Sequence, residues 1–323
     1  MRISVLGYID DPSQNSIRIA QAWTLQRHNV QLLALSTSNV VEKVLKHEPE
    51  FCLVTMGRDF DHSILTELRD KGIFLVQWIP DEYGPGDQPG GMWFENIKGI
   101  YNLLMCETRG IVPLLKDYAD EVIWIPMYFD QRFHKCTEKR GQHPFNIGFL
   151  GGANTTQSSI RQKFLNQLIK DGYDLQISGG YFNHDYGNLQ KRIHNSKFFS
   201  DGILVGIEMV KFYSRAKIGL NFINDKLSQY DLGISNRAFK TIGSGCFLLT
   251  QEIEGLETLL IPGEHCITYS PMDYHDLTHK IDFFLKDERQ RERIALQGQQ
   301  HILKNYNIDI VTSLFIDEIK KRL

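Results

Sequence analysis

The sequence predicts an α/β protein built from two doubly wound domains, each with a parallel sheet between layers of helices. Short apolar runs alternate with longer helical patterns from the first residue, as in sheets built from right-handed strand–helix–strand units. A polar, charged stretch that is closed by a proline, residues 130–144, interrupts the alternation, which then restarts. The length of 323 residues fits two domains that each bury a core.

The first half of the chain contains six predicted strands separated by helical patterns. The predicted strands are Arg2–Tyr8, Val30–Ser36, Phe51–Met56, Ile73–Ile79, Asn102–Cys106 and Val122–Met127. They are apolar with few charges, which is typical of strands buried on both faces of a parallel sheet. The predicted helices are Ile17–Arg27, Val40–His47, Ile64–Lys71 and Gly110–Tyr118. We assign all of them to a first domain over residues 1–130.

A linker over residues 131–144 precedes a second domain over residues 145–306. Its predicted strands are Ile147–Leu150, Leu175–Ser178, Ile218–Ile223, Cys246–Thr250 and Cys266–Tyr269. Its predicted helices are Ile160–Lys170, Ile203–Tyr213, one from Asn236, Tyr274–Leu285 and Arg291–Lys304, and a last predicted helix, Ile308–Leu323, follows this domain. Ligands of open α/β sheets bind beyond the carboxyl ends of the strands. We therefore expect the functional loops to follow strands and to face a cleft between the two domains.

Composition excludes several classes of protein. The 36 Lys and Arg residues nearly balance the 39 Asp and Glu residues, whereas a nucleic-acid-binding protein usually carries a strongly basic face. No run approaches 18 apolar residues, so we expect no membrane span. The five cysteines are far apart and form no Cys-x-x-Cys pair. This usage predicts a cytoplasmic protein with neither a disulfide framework nor a structural zinc ion.

A glycine turn follows the first predicted strand of the second domain. Gly151 and Gly152 let the backbone approach a ligand, and the start of the next helix, which carries Arg161, favours an anion. The turn lacks the glycine spacing of the dinucleotide fingerprint and the Gly-Lys-Ser/Thr of a Walker loop. The pattern indicates phosphate or nucleotide contact, and a plain glycine turn before a Ser-capped helix is the alternative.

A second glycine-containing region places two cations near a predicted helix start. Gly233 leads to Ser235 or Asn236 as the N-cap, and Arg237 and Lys240 then share a helical face in the first turn. Cations at a helix N-terminus oppose the macrodipole. The arrangement therefore predicts an anion such as a diphosphate beside them, and a solvated basic edge is the alternative.

Two patterns resemble metal sites, although neither predicts one. Asp59 and Asp61 follow a strand as an Asp-x-Asp pair that suits Mg²⁺ or Mn²⁺, but Asp61 opens a helix and is better explained as its N-cap. His275 and His279 are one helical turn apart, as in a zinc helix, but no third ligand is evident. We expect no bound metal.

Asp81 ends a buried strand and opens a long loop rich in glycine and proline. Long loops at strand ends often carry binding residues. The Asp81 carboxylate is suited to accept a proton from an acceptor hydroxyl, and it is equally suited to cap a turn. The sequence leaves these two roles open.

The order of these motifs resembles the CgeB/YkvP-like (spore-maturation-protein-like) glycosyltransferases. The resemblance is carried by Ser235-Asn-Arg-Ala-Phe-Lys, the Gly-Ser-Gly turn, the Leu-Leu-Thr strand and the helices that follow. In the first half it is carried by Trp78 with Asp81 and by Pro126-Met-Tyr-Phe-Asp130. The resemblance covers almost the whole chain and implies a GT-B fold, in which the final helix, residues 307–323, crosses back to the first domain.

The resemblance implies transfer of a hexosyl or pentosyl group from a nucleotide-diphosphate sugar to a hydroxyl of a glycan, a protein or another acceptor. The first domain would bind the acceptor and the second the donor. No metal cofactor is implied, since helix N-termini and cations stabilise the departing diphosphate. Retention of configuration is favoured, and Asp81 would be the general base of an inverting reaction. The implied site residues are Arg237 and Lys240 at the diphosphate, with Gly151, Gly152, Arg161, Gly233, Ser235, Asn236 and Glu252 on the donor.

Lys240 departs from the pattern of that family, which has a glutamate expected to hold the ribose hydroxyls. A lysine cannot accept hydrogen bonds from them. Lys240 then contacts phosphate instead, or another residue such as Glu252 holds the ribose. A third alternative is that the chain is a catalytically inactive module that binds nucleotide sugars.

Overall fold

The computed structural model describes residues 1–12, 14–34, 36–55, 61–80, 93–134, 143–151, 159–178, 204, 206–223 and 229–323. The chain divides into two units, each of which contains one parallel β-sheet. The first unit comprises Met1–Tyr128 and Tyr306–Leu323, and the second comprises Phe129–Asn305.

The first unit contains a six-stranded parallel sheet in the order β2-β1-β3-β4-β5-β6. The strands are β1 (Arg2–Gly7), β2 (Asn29–Ala34), β3 (Phe51–Thr55), β4 (Leu75–Ile79), β5 (Tyr101–Cys106) and β6 (Ala119–Trp124). The helices are α1 (Asn15–Leu25), α2 (Val40–His47), α3 (His62–Asp70), α4 (Trp93–Ile97) and the 3₁₀ helix Arg109–Leu115. Every residue of β3 and β4 is buried, which explains the uninterrupted apolar runs in the sequence.

The second unit contains a five-stranded parallel sheet in the order β11-β10-β9-β7-β8. The strands are β7 (Phe145–Leu150), β8 (Leu175–Ser178), β9 (Ala216–Asn221), β10 (Phe247–Gln251) and β11 (Ile267–Tyr269). The helices are α5 (Ser159–Lys170), α6 (Gly206–Ser214), α7 (Asn236–Gly243), α8 (Tyr274–Lys286), α9 (Glu288–Asn305) and the 3₁₀ helix Leu256–Thr258. In the described parts of the chain, no helix has the length and apolar character needed to span a membrane.

The C-terminal helix α10 (Ile308–Lys320) packs on the first unit, as predicted. Its Phe315 lies 5.9 Å from the ring of Trp78 on β4, measured between ring centroids. The indole of Trp23 on α1 donates a hydrogen bond to the carbonyl of Thr312 at 2.9 Å. Buried apolar side chains from β1, β3, α1 and α10 complete one core, so the end of the chain is an integral part of its first unit.

The structure corrects two predicted elements of the first unit. The predicted helix Gly110–Tyr118 is a 3₁₀ helix over Arg109–Leu115, and Pro113 inside it lacks the N–H that an α-helix requires. Strand β6 begins at Ala119 and not at Val122, because Ala119 pairs with Tyr101 at the start of β5. Strand β6 lies at the edge of the sheet, where exposed acidic residues such as Asp120 and Glu121 are tolerated. Because these residues are not apolar, the pattern of apolar runs placed the start of the strand too late.

The stretch predicted as a linker begins, in the structure, with a packed turn of the second unit. The Asp130 carboxylate accepts hydrogen bonds from the backbone N–H groups of Arg132 (3.0 Å) and Phe133 (3.1 Å). The ring of Phe129 stacks on His134 at 5.0 Å, and Asp130 and His134 are both buried. Local turn chemistry and aromatic packing therefore hold this polar segment. Residues 135–142 lie outside the described residues.

Candidate functional site

The carboxyl ends of β7, β9 and β10 form one edge of the second sheet, because β9 lies between β7 and β10 and all three strands are parallel. Helix α7 begins at this edge after its N-cap, Ser235. The hydroxyl of Ser235 donates a hydrogen bond to the side-chain oxygen of Asn221, the last residue of β9, at 2.8 Å. Such edges are where open α/β sheets bind their ligands.

Arg237 extends from the first turn of α7 across the ends of β7 and β9. Its Nε donates to the carbonyl of Leu150, and its Nη1 donates to Asn221 Oδ1 and to the carbonyl of Phe222, both at 3.2 Å. The guanidinium carbon lies 4.8 Å from the ring centroid of Phe149. These contacts hold the cation in one orientation at the carboxyl edge of the sheet.

Arg161 of α5 reaches the same point from another helix. Its Nη2 donates to the carbonyl of Phe222 at 3.3 Å, and its guanidinium carbon lies 5.8 Å from the centroid of Phe149. Two guanidinium groups thus donate to one carbonyl oxygen and contact one aromatic ring. The two guanidinium groups therefore place positive charge together at the carboxyl ends of these strands.

Gly151 provides the space that Arg237 occupies. A Cβ added to Gly151 would lie 2.5 Å from Nη2 of Arg237, and the glycine has a φ of 154°. Its N–H donates to the carbonyl of Ser178 at 2.9 Å, which fixes the backbone at the ends of β7 and β8. The glycine that sequence analysis assigned to ligand contact therefore also has a packing role beside Arg237.

Asn221 connects three elements of the site. Its Oδ1 accepts from Ser235 Oγ at 2.8 Å and from Arg237 Nη1 at 3.2 Å. Its Nδ2 donates to Thr250 Oγ1 of β10 at 2.9 Å. The side chain is fully buried, so both ends of the amide are satisfied within the protein.

Two buried tyrosines lie close to the arginines. Burial raises the pKa of Tyr213 to about 12, although the charge of Arg237 acts in the opposite direction. Burial also raises the pKa of Tyr269 above its ordinary value, against the opposing charges of Arg161 and Arg237. Both hydroxyl groups therefore stay protonated near neutral pH and leave the positive charge of the two guanidinium groups unchanged.

The structure brings Gly151, Arg161, Ser235 and Arg237 together. Lys240 lies in the last turn of α7, and its prediction as a first-turn cation was wrong. The helix has only eight residues, so Lys240 is favourably placed near its negative end.

Three further predicted residues, Glu252, Gly233 and Asn236, lie in the loops and the helix around this edge. Glu252 is exposed after the end of β10, and its N–H donates to the carbonyl of Tyr269 at 3.0 Å. Gly233 is buried in the loop before α7, and Asn236 is the first residue of that helix. Gly152 and Asp81 lie outside the described residues.

Sequence analysis missed Asn221 and Phe149 as parts of this site. Asn221 is a polar residue at the end of an otherwise apolar strand, which was the available signal. Phe149 gave no such signal, because an aromatic residue in a buried strand is ordinary core sequence. The importance of Phe149 depends on the two arginines that contact its ring.

One residue of the metal-like patterns, Asp61, has another role in the structure. The Asp61 carboxylate accepts hydrogen bonds from the N–H (3.0 Å) and the hydroxyl (2.7 Å) of Ser63, which confirms it as the N-cap of α3. These bonds lower the pKa of Asp61 below its ordinary value. Asp59 lies outside the described residues, and His275 and His279 are exposed on α8. Among the residues with a described position, no group of three or more metal-ligating side chains occurs.

The carboxyl edge of the first sheet carries its own polar group. The hydroxyl of Tyr128 donates to Asn15 Oδ1 at 2.8 Å, and the guanidinium of Arg18 also donates to this oxygen. Arg18 lies 5.6 Å from the ring centroid of Tyr128. The Tyr128 ring in turn stacks on Trp78 at 5.7 Å. These residues surround the start of α1, which follows β1.

Comparison with known proteins gives one family match and one curated relative. Residues 161–314 match a family model described as "Glycosyl transferase-like". An uncharacterized protein from Aquifex aeolicus (strain VF5) is 24% identical over 155 residues. That match covers 48% of this chain and 36% of the relative, so the chain spans about a third of the length of that relative.

Several solved structures match 99% of the chain. Sucrose-phosphate synthase from Thermosynechococcus elongatus has a TM-score of 0.71 at 12% identity, and the match covers 99% of both chains. The Anabaena protein Alr3699/HepE, solved with UDP and glucose, has a TM-score of 0.67 at 12% identity over 99% of both chains. A glycosyltransferase from Rickettsia africae ESF-5 has a TM-score of 0.66 at 11% identity, and the match covers 99% of this chain and 98% of that protein. These matches confirm the predicted GT-B fold with its two parallel-sheet α/β units.

Proposed function

We propose that this protein is a glycosyltransferase that moves a hexosyl or pentosyl group from a nucleotide-diphosphate sugar to an acceptor hydroxyl. The observation that carries the proposal is the convergence of Arg161 and Arg237 on the carbonyl of Phe222. Guanidinium groups present forks of hydrogen-bond donors that match phosphate oxygens, and two such groups lie together here. The GT-B fold and the match of residues 161–314 to a glycosyl transferase-like family support this proposal.

The proposed chemistry needs stabilisation of a leaving group. The bond between the anomeric carbon of the sugar and the diphosphate oxygen breaks, and its electron pair remains on the diphosphate. The acceptor oxygen bonds to the anomeric carbon, and its proton passes to the departing diphosphate oxygen. Fixed cations at the leaving oxygen lower the barrier, because they are oriented before the charge develops. Arg237 suits this role, since three protein oxygens already fix its guanidinium.

Uridine diphosphate is the first nucleotide to test as the donor's leaving group. The Anabaena protein of the same fold was solved with UDP and with UDP-glucose. We assign the donor to the second unit of this chain, because Arg161, Ser235 and Arg237 all belong to that unit. The acceptor, a glycan, a protein or another hydroxyl compound, is assigned to the first unit.

We propose that transfer needs no metal ion, since Arg161 and Arg237 supply the positive charge at the leaving group. Activity is therefore expected to persist in EDTA and to be unchanged by added Mg²⁺ or Mn²⁺. Loss of activity in EDTA with recovery on adding Mn²⁺ would instead favour a metal-dependent transferase or phosphohydrolase that uses Asp59 and Asp61.

We propose retention of configuration at the anomeric carbon, and the anomeric coupling of the product by NMR tests this directly. An inverting reaction requires a general base, and Asp81 is the candidate for that role. In a retaining reaction the variant Asp81→Asn is expected to keep most of its turnover. Inversion together with loss of turnover in Asp81→Asn would overturn this part of the proposal.

A thermal-shift screen tests the proposed function first. The purified chain is melted with UDP, GDP, ADP, CMP and their sugars, with and without EDTA, because a ligand of the native state raises the melting temperature. One nucleotide is expected to raise it independently of metal, and release of that nucleotide from its sugar is then measured with candidate acceptors. If no nucleotide shifts the melting temperature, the donor site proposed here is wrong.

A second candidate function is a catalytically inactive module that binds nucleotide sugars. Lys240 favours it, since the resembling family has a glutamate there that is expected to hold the ribose. Such a module would bind a nucleotide sugar but release no nucleotide from it with any acceptor. Lys240→Glu distinguishes the two candidates: gain of turnover in this variant would favour the inactive module.

We also propose the cytoplasm as the compartment of this protein. The four cysteines in the described residues, Cys52, Cys106, Cys246 and Cys266, are buried free thiols, as is usual under reducing conditions. Fractionation of cells that express a tagged chain tests this, and recovery from an oxidising compartment would contradict it.

A further inference from the structure

Asn221 is hydrogen-bonded to two groups that we assign to the donor site, the side chains of Ser235 and Arg237. These bonds determine which atom of the Asn221 amide is the oxygen and which is the nitrogen. Arg237 can only donate hydrogen bonds, so the atom that faces its Nη1 at 3.2 Å must be the amide oxygen. The same oxygen accepts from Ser235 Oγ at 2.8 Å. The amide nitrogen therefore faces Thr250 Oγ1, to which it donates at 2.9 Å.

Ser235 does not use its side chain as an N-cap residue normally does. A serine at this position usually accepts a hydrogen bond from an N–H in the first helical turn. Among the residues that the structure describes, the Ser235 hydroxyl makes no such bond and donates instead to Asn221. In the observed structure the Ser235 hydroxyl is hydrogen-bonded to Asn221 and does not cap the start of α7, where an anion binds favourably.

We infer that Asn221 is a positioning residue of the donor site, which fixes the guanidinium of Arg237 and the hydroxyl of Ser235 for a diphosphate. The inference rests on the proposed function, since it concerns the same site. Asn221 is fully buried, so it acts through these two groups and not through contact with the sugar. Loss of its oxygen releases Arg237 from one of its acceptors and lets Ser235 rotate to cap α7.

The variant Asn221→Ala tests the hydrogen bonds that the Asn221 side chain accepts, and Asn221→Asp tests whether this side chain must be uncharged. Asn221→Ala removes the shared acceptor, and UDP affinity is expected to fall by about tenfold, the typical effect of one hydrogen bond to a charged group. Asn221→Asp keeps the shape and both accepted bonds but places a negative charge against Arg237. The aspartate variant is therefore expected to lose more affinity for UDP than for UMP, which carries less charge.

Isothermal titration calorimetry with UDP and UMP at one salt concentration measures these effects. The decisive readout is the difference between the two ligands in Asn221→Ala, because a merely structural role would weaken both by the same factor, whereas loss of the orientation of Arg237 and Ser235 weakens UDP more than UMP. Asn307→Ala is the matched control. Asn307 also accepts two hydrogen bonds, from the N–H groups of Asp309 and Ile310, but it caps α10 in the first unit. This control is expected to lower the melting temperature and to leave UDP affinity unchanged.

The outcomes separate this inference from the proposed function. If the unsubstituted chain binds neither UDP nor any other nucleoside diphosphate, the proposed function fails and this inference fails with it. If the unsubstituted chain binds UDP and Asn221→Ala binds it within about twofold, only the inference is overturned. If Asn221→Ala does not fold, the isosteric Asn221→Asp decides, and equal losses for UDP and UMP in that variant overturn the inference.

Discussion

The guanidinium of Arg237 occupies the space in which any residue other than glycine at position 151 would carry its Cβ. The ideal Cβ position of Gly151 lies 2.5 Å from Nη2 of Arg237, which is far inside van der Waals contact. The glycine turn after β7 and the cation on α7 therefore depend on each other, although sequence analysis treated them as separate motifs.

Gly151→Ala is expected to displace the Arg237 guanidinium and to weaken UDP binding by about tenfold or more, because a charged hydrogen-bond donor leaves the site. The melting temperature is also expected to fall, since the φ of 154° is unfavourable for alanine. Calorimetry with UDP and a thermal melt measure the two effects separately.

Gly172→Ala provides the matched control for Gly151→Ala. Gly172 has a φ of 84°, and a Cβ there meets no atom within 4 Å, so this variant introduces backbone strain without a clash. It is expected to lower the melting temperature by a few degrees while UDP affinity stays unchanged. Equal effects of the two variants on UDP affinity would show that the contact between Gly151 and Arg237 is irrelevant to binding.

Arg237→Ala is expected to weaken UDP binding by roughly tenfold or more, because a charge-assisted hydrogen bond contributes about 1.5–3 kcal/mol. Arg237→Lys keeps the charge but loses the planar fork, so it should lie between alanine and arginine. Arg69→Ala is the control, since Arg69 pairs with Asp120 at 2.8 Å in the first unit. Unchanged affinity in Arg237→Ala would mean that the diphosphate binds elsewhere.

Phe315→Ala tests the contribution of the C-terminal helix to the first unit. Phe315 is fully buried against Trp78, and truncation of such a side chain usually costs about 3–5 kcal/mol. Its neighbour Leu314 is 39% exposed, so Leu314→Ala should change the free energy of unfolding by less than about 1 kcal/mol. Denaturant titration measures both, and similar losses would contradict the observed packing.

Arg322 makes the stability of the first unit depend on pH in the acid range. It donates to Glu121 at 2.7 Å and to Glu318 at 2.9 Å. Hydrogen bonds from Arg322 lower the pKa of Glu121, and those from Lys321 and Arg322 lower the pKa of Glu318. A carboxyl whose pKa is lowered by folding stabilises the protein above its unfolded pKa, about 4.3 for glutamate, and loses this contribution as pH falls further.

Arg322→Gln is therefore expected to lower the melting temperature slightly at pH 7 and to have a smaller effect near pH 3. These side chains are partly exposed, so the difference corresponds to at most about 1 kcal/mol. Thermal melts of both proteins between pH 7 and pH 3 measure it. A difference that is constant over this range would exclude the proposed proton linkage.

Sequence patterns within a few residues correctly predicted those helices, strands and caps that depend only on neighbouring residues. Helix α2 and strand β8 have the predicted bounds, Val40–His47 and Leu175–Ser178. Asp61 was correctly interpreted as a cap, because an N-cap depends only on the residues that follow it. The 3₁₀ helix Arg109–Leu115 was predicted as an α-helix, since its apolar pattern suits both helix types and the effect of Pro113 was overlooked.

The amino-acid sequence was sufficient to predict the two parallel sheets and the alternation of strands and helices, because strands buried on both faces require apolar runs between amphipathic helices. It also identified Gly151, Arg161, Ser235 and Arg237 as individual candidates. Only the tertiary structure brought Arg161 and Arg237 to one carbonyl oxygen, since this depends on β9 lying between β7 and β10. It alone revealed that Asn221 bonds to Ser235 and Arg237, because the direction of a side chain at a strand end is fixed by packing and not by sequence spacing.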